Sequence, residues 1–377
     1  MRITIFCPSY GALGGIENIA ASLAAEFRRC GHAVLVLARQ DSGAVQDHDG
    51  TPVIRLPFHQ FPRRARHVAR HLRFARGLLP TVAGFRRALR QWNADVLLAL
   101  AISTYGPYLL GLAGPTPVIV CLQGGEPGGA FAASPRLFRW VLRRAAGVAA
   151  CATSLVPSAL ALAPDIAPRL RVIPNGVEPD RFSAHAVFPH ERPYIVAVGR
   201  LTRQKGFDVL LDALVQLGKQ DCAVDLLIAG DGPEKNPLRF QCDRLGLSDR
   251  VQFLGAADET TIAALYRGAR FVVCPSRWEG LPLVCLEAMV SGRAVVATAV
   301  DGIPDAVLDA ETGLLVPPED PAGLAAAMAS LLKSPERSAA LGRHGKQRVQ
   351  ERFTWHLIGR QYMEFFAEVN TQRRATK

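Results

Sequence analysis

Arg200 and Lys205 stand in one loop between a strand-like run and Gly206, and Glu279 and Glu287 lie eight positions apart in the segment CPSRWEGLPLVCLEAMVSG. That segment begins at the end of an apolar run, FVVC. A short helix is expected to open at Pro282 and to end before Gly292, since proline suits a first helical turn and glycine the residue past the last. The free amides and positive dipole end of such a helix attract phosphate. Arg200 can grip a phosphate bidentately, and Lys205 adds a point charge. Loop cations are common, but a place directly after a strand and before Gly206 and a helix favours phosphate. Carboxylates beside such a site do not suit the phosphate itself; they suit sugar hydroxyls, which donate to them. The four residues together suggest a nucleotide-sugar. A glycosidase pair of acid and nucleophile is the competing use of two carboxylates, and their placement around a helix N-terminus opposite two cations argues against it.

The surrounding pattern supplies elements to position these groups. The chain opens as strand (RITIFC), glycine loop (YGALGG), helix and strand (AVLVLA), a βαβ unit with its loop at the strand's carboxyl end. The loop reads Gly11-x-x-Gly14-Gly15, without the third glycine of a dinucleotide fingerprint. No acidic residue closes the second strand either, so a nicotinamide dehydrogenase loses its support. Gly14 and Gly15 fit a phosphate contact and plain turn glycines equally well. Further strands are expected at DVLLAL, PVIVCL, GVAACA and LRVIP. After the turn signal Asn175-Gly176 and the aperiodic SAHAVFPHERP the pattern starts over: YIVAVG, VDLLIAG, RVQFLG, FVVC, AVVAT and GLLV alternate with helices. The expected organisation is a first domain over residues 1–180, a second over 181–352, and a C-terminal helix over 353–377 that crosses back to the first.

With 377 residues, 49% hydrophobic and 20% charged, the chain has room for two ordinary globular domains. Its eight cysteines are scattered without C-x-x-C or metal-ligand spacing, which reads as free thiols in a reducing cytosol. The charge-free stretch between Asp95 and Glu126 is broken by Gly-Pro pairs and Pro117, so two buried strands explain it better than a membrane span. The net charge of +11 is local: no acid but ten arginines lie between Asp49 and Asp95. That disfavours general nucleic-acid binding and points to one anionic partner or a membrane surface. Arg63, Arg64, Arg66, Arg70, Arg73 and Arg76 edge an apolar strip, so this segment, divided at Pro80, reads as an interfacial helix or as a core helix with a solvated basic face.

VGRLTRQKG, VIPNGV, FLG followed by a helix, CPSRWEGLPLVCLEAMVSG and DGIPDAV…TGLLV, in this order, resemble the family 4 glycosyltransferases over nearly the whole chain. The resemblance implies an α/β chain of two doubly wound Rossmann-like domains facing across a cleft, the GT-B fold, with a retaining, metal-independent transfer from a UDP- or GDP-sugar. It implies that Gly14 and Gly15 offer backbone to the donor phosphate, and that Arg200 and Lys205 neutralise the diphosphate. Glu279 and Gly280 would hold the transferred sugar, Glu287 the ribose, and the backbone at Leu281, Leu283 and Val284 would cap the diphosphate. Many members carry glycine where this chain has Pro282, and histidine where it has Gln123, which hydrogen-bonds but carries no proton. Glu126 is a nearby carboxylate that faces either the acceptor or only its own loop.

The resulting expectation is a hexosyltransferase acting on a hydroxyl of a glycan or lipid-linked acceptor in cell-surface polysaccharide or glycolipid synthesis. It is expected in the cytoplasm or at the cytoplasmic face of the membrane, without cofactor. Two other readings share the sequence. A nucleotide-sugar epimerase would turn over donor alone, and a non-catalytic membrane-surface protein would bind no nucleotide. The intact Arg200, Lys205, Glu279 and Glu287 argue against the last.

Overall fold

Runs such as ITIF, VLVL, IVAV and VVAT are apolar on both faces, which a strand tolerates only where helices cover both sides of its sheet. The computed structural model describes residues 1–11, 14–40, 50–56, 81–100, 114–124, 135–183, 186–219 and 224–375. They divide into two units, Met1–Pro174 with Trp355–Lys377, and Asn175–Thr354.

In the first unit the strands are β1 (Arg2–Phe6), β2 (Ala33–Arg39), β3 (Val53–Leu56), β4 (Val96–Ala99), β5 (Val118–Leu122), β6 (Gly147–Ala150) and β7 (Leu170–Val172). They form one parallel sheet in the order β3-β2-β1-β4-β5-β6-β7. Helices α1 (Gly15–Arg29), α2 (residues 81–92), α3 (Pro135–Arg144) and α4 (Leu155–Leu162) accompany it. β3 has no counterpart among the expected strands. It is only partly covered, and Arg55 interrupts its apolar run, so the sequence pattern there is weak. β4 and β5 account for the described ends of the charge-free stretch, and no helix among the described residues is long and apolar enough to cross a membrane.

The second unit carries β8 (Tyr194–Val198), β9 (Asp225–Ala229), β10 (Val251–Gly255), β11 (Val272–Cys274), β12 (Val295–Thr298) and β13 (Gly313–Val316), ordered β10-β9-β8-β11-β12-β13 and parallel throughout. Its longer helices are α5 (Phe207–Gly218), α6 (Lys235–Arg244), α7 (Glu259–Gly268), α8 (Leu283–Val290), α9 (Pro321–Lys333) and α10 (Pro335–Arg352). Leu210, Leu211 and Leu214 of α5 and Leu324, Ala325 and Met328 of α9 are buried in one apolar cluster with β8, β9 and β12.

The last helix, α11 (Trp355–Ala375), belongs to the first unit. It packs on α1 through Phe27, whose ring centroid is 6.2 Å from Tyr362 and 5.6 Å from Phe366. The cysteines among the described residues are free thiols.

Candidate functional site

Chain order places β8 and β11 side by side while the strands that follow each run outward in opposite directions. Open α/β sheets bind ligands in the crevice beyond the carboxyl ends at such a reversal. Both sequence-predicted clusters fall there. Arg200 follows β8, a single 3-10 turn (Arg203–Lys205) carries Lys205, and the segment from Cys274 to Glu287 follows β11.

The loops are fastened to each other. The Arg277 amide donates to the Gln204 carbonyl at 2.7 Å, and the Gln204 side-chain amide donates to the Trp278 carbonyl at 3.0 Å. Gly206 sits at φ +64 with its α-carbon so close to the second loop that an added Cβ would lie 2.0 Å from the Pro275 carbonyl oxygen. Only glycine satisfies both demands. The loop after β9 joins them: Leu201 N–H donates to the Asp231 carbonyl at 3.0 Å, and a Cβ at Gly230 would lie 1.9 Å from the Gly199 carbonyl oxygen. Arg277, the cation within the segment, is consumed as a brace. Its guanidinium takes both Asp208 carboxylate oxygens at 2.7 Å, the Arg203 carbonyl at 2.8 Å, and Glu319. These carboxylates push the guanidinium further up from its ordinary value.

Inside this frame the Lys205 ammonium pairs with the Glu279 carboxylate, and Ser276 Oγ donates to the same Glu279 oxygen at 2.8 Å. Burial alone would lower the Lys205 ammonium, but the Glu279 carboxylate outweighs it and the net displacement is upward. Glu279 is thereby held with Oε1 occupied by two donors. Two residues not among the expected ones fasten the loop around it. Asp301, at φ +44, accepts the Glu279 amide at 2.9 Å. Asn175, buried, donates its side-chain amide to the Leu281 carbonyl at 3.1 Å. Both sat in motifs visible in the sequence, NGV and DGIPDAV, but nothing in local spacing says that they reach residues 22 and 106 positions away.

Helix α8 begins at Leu283, not at Pro282 as the sequence pattern implied. Pro282 has an extended ψ of 122°, so it is the capping residue, and its carbonyl accepts the Cys285 amide. The ring still sets φ for the turn, but the helical amides start one residue later. Gly292, at φ +74, ends the helix as expected. Leu283 and Val284 are half-buried at the mouth of the helix, whereas Gly280 and Leu281 are buried. Glu287 lies one turn along on the same face as Leu283. It is half-buried, and the Tyr266 hydroxyl of α7 donates to its Oε2 at 3.0 Å. Burial raises the Glu287 carboxyl to about 7, against the pull of that hydroxyl. α10 backs the helix closely: a Cβ at Gly342 would lie 2.2 Å from the Gly292 carbonyl oxygen.

Arg200 is exposed and, among the described residues, makes no side-chain hydrogen bond or ion pair. The second unit thus brings Arg200, Lys205, Glu279 and Glu287 to one sheet edge. A pocket of about 270 Å³ opens beside the Arg277–Asp208 brace, lined by Thr202, Arg203 and Gln241, and does not include those four residues.

Gly14 and Gly15 lie in the first unit, exposed at the start of α1, where Ser9 donates to Glu17. Gln123 follows β5 and is half-buried. Glu126 and the arginines Arg63, Arg64, Arg66, Arg70, Arg73 and Arg76 lie outside the described residues.

The sequence matches the family model "Glycosyl transferases group 1" over residues 180–348 and "Glycosyl transferase 4-like domain" over residues 14–176. It is 32% identical over 221 residues to a glycogen synthase of Mycobacterium tuberculosis, an alignment covering 58% of this chain and 53% of that protein. The chain thus spans about half the length of such relatives. It is 27% identical over 382 residues, 96% of this chain and 97% of the relative, to a GDP-mannose-dependent alpha-(1-6)-phosphatidylinositol monomannoside mannosyltransferase of Mycolicibacterium smegmatis. The sucrose-phosphate synthase of Thermosynechococcus elongatus shares the fold at a TM-score of 0.82 and 23% identity, covering 98% of this chain and 99% of that one. Anabaena HepE, solved in complex with UDP and glucose, does so at 0.77 and 22%, covering 98% and 100%. With two parallel α/β sheets and both matches adjoining, the chain belongs to the family 4, group 1 glycosyltransferases and has the GT-B fold.

Proposed function

We propose that the protein is a retaining glycosyltransferase that moves a sugar from a UDP- or GDP-sugar to a hydroxyl of a glycan or lipid-linked acceptor. Cell-surface polysaccharide or glycolipid synthesis is the setting this chemistry suits. The carrying observation is the Lys205–Glu279 pair held at the β8–β11 reversal, with Arg200, unpartnered among the described residues, on the same edge and the α8 N-terminus opening onto it. In this reading Arg200, Lys205 and the backbone at Leu283 and Val284 meet the diphosphate. Negative charge that grows on the departing nucleotide is stabilised by groups already oriented, so little reorganisation opposes it. Glu279 keeps Oε2 for a sugar hydroxyl, with Gly280 and Leu281 shaping the loop around it. Glu287 accepts from the ribose. In the first unit, Gly14, Gly15 and Gln123 are the polar positions we propose for substrate contact.

Cations and a helix terminus do here what a divalent metal does elsewhere, so the transfer is proposed to run without one. A relative named for GDP-mannose and a fold neighbour solved with UDP support a nucleotide-sugar donor. The test is calorimetry with UDP- and GDP-sugars. One of them binds the native chain, and Glu287→Ala loses at least tenfold in affinity; equal affinity in the variant removes Glu287 from the site. The anomeric configuration of the product, read by NMR, decides retention.

A further inference from the structure

Helix α3, PRLFRWVLRR, contains no acidic residue and has an aromatic on each side. Phe138, Val141 and Leu142 are buried against the first unit. Arg136, Arg139, Trp140, Arg143 and Arg144 are exposed. At about 100° per residue these five fall within one arc of about 140°, with Trp140 between Arg136 and Arg144. Trp140 is 39% exposed, and the Arg144 guanidinium lies 5.5 Å from its ring centroid. Arg139 donates to the Leu162 carbonyl at 2.8 Å, and Arg143 pairs with Asp165 at 2.9 Å. Four arginines thus face one carboxylate.

A solvated basic face would account for the arginines alone. It does not account for an indole left partly exposed in their midst, which costs apolar exposure. Arginine stems and an indole together fit the headgroup layer of an anionic bilayer, where the ring lies at the interface and the guanidinium groups reach lipid phosphates. No helix among the described residues is long and apolar enough to cross a membrane. We propose that this face of α3 docks the protein on an anionic lipid bilayer. Two of its cations, Arg136 and Arg144, make no hydrogen bond or ion pair among the described residues and are free to meet phosphates.

Flotation of the full chain with phosphatidylcholine vesicles, with and without phosphatidylglycerol, tests this. Binding is expected only with the anionic lipid. Arg136→Gln with Arg144→Gln should weaken it about 25-fold, at roughly fivefold per cation. Trp140→Phe should abolish the vesicle-induced blue shift of tryptophan emission. Unchanged binding in the double variant places the contact elsewhere, and binding to a single-stranded oligonucleotide but not to vesicles makes the partner a different polyanion; either overturns the proposal. The same variants are titrated with the nucleotide-sugar. They should bind it as the native chain does, so loss of docking with intact donor binding, or the reverse, tells this inference apart from the proposed function.

Discussion

Both sheets reverse their strand order around the first strand, at β1 and β4 in one unit and at β8 and β11 in the other, yet the glycine turns there are built differently. In the second unit the glycines are wedged. A Cβ at Gly206 or Gly230 would drive into backbone carbonyl oxygens about 2 Å away. In the first unit a Cβ at Gly15 would meet nothing within 4 Å, and one at Gly14 would meet only the end of the Glu17 side chain. The same residue type marks a lock between loops in one place and an open turn in the other. Groups that must be held at fixed geometry belong on the locked edge, and Lys205, Glu279 and Glu287 are there.

The largest effect should come from breaking the lock. Gly206→Ala combines a left-handed φ with a backbone clash, and its midpoint in urea should fall by the equivalent of about 4 kcal/mol. An unchanged midpoint would mean that the loops are free to separate. Next is the buried pair. Lys205→Met leaves the Glu279 carboxylate buried with Ser276 alone, at a cost of about 3 kcal/mol. Adding Glu279→Gln should restore part of that, so the double variant is more stable than the sum of its parts implies. Strict additivity would show that the two do not interact.

Glu287 gives a pH signature of similar or smaller size. Its carboxyl is raised from 4.5 to about 7, so between these values the folded state holds more protons than the unfolded chain. Stability is therefore greatest below about pH 4.5 as far as this group is concerned, and it is lost as pH rises toward 7, by up to about 3 kcal/mol. Glu287→Gln should flatten the slope of melting temperature against pH in that window; an unaltered slope would assign it to other groups. The smallest effect belongs to the open turn. Gly15→Ala should change stability by less than about 0.5 kcal/mol in the same urea experiment, and a large loss would show that turn to be locked as well.

The locked site was legible in the sequence to an unequal degree. The position of Arg200, Lys205, Glu279 and Glu287 at the sheet edge could be read because each stands at a fixed offset from a strand end or a helix start, and those local patterns are set by apolar runs, proline and glycine. The one-residue error at Pro282 has a local cause too: the pyrrolidine ring suits both a first helical position and an extended cap, and φ alone does not separate them. Asn175 and Asp301 could not be assigned, because their partners are the backbone of a loop far along the chain. Nor could the sequence show that Arg277 is spent on Asp208 and Glu319.

By itself, then, the order of residues determined the alternation of strands and helices, the two repeats of that alternation, and the family whose motifs they carry. Periodicity and turn chemistry act over a few residues, and they survive in a linear string. Tertiary structure alone decided which charges neutralise each other, which carboxylate oxygen remains open, and that Glu287 is raised toward neutrality. Those outcomes depend on burial and on distances between loops that meet only when the sheet has formed.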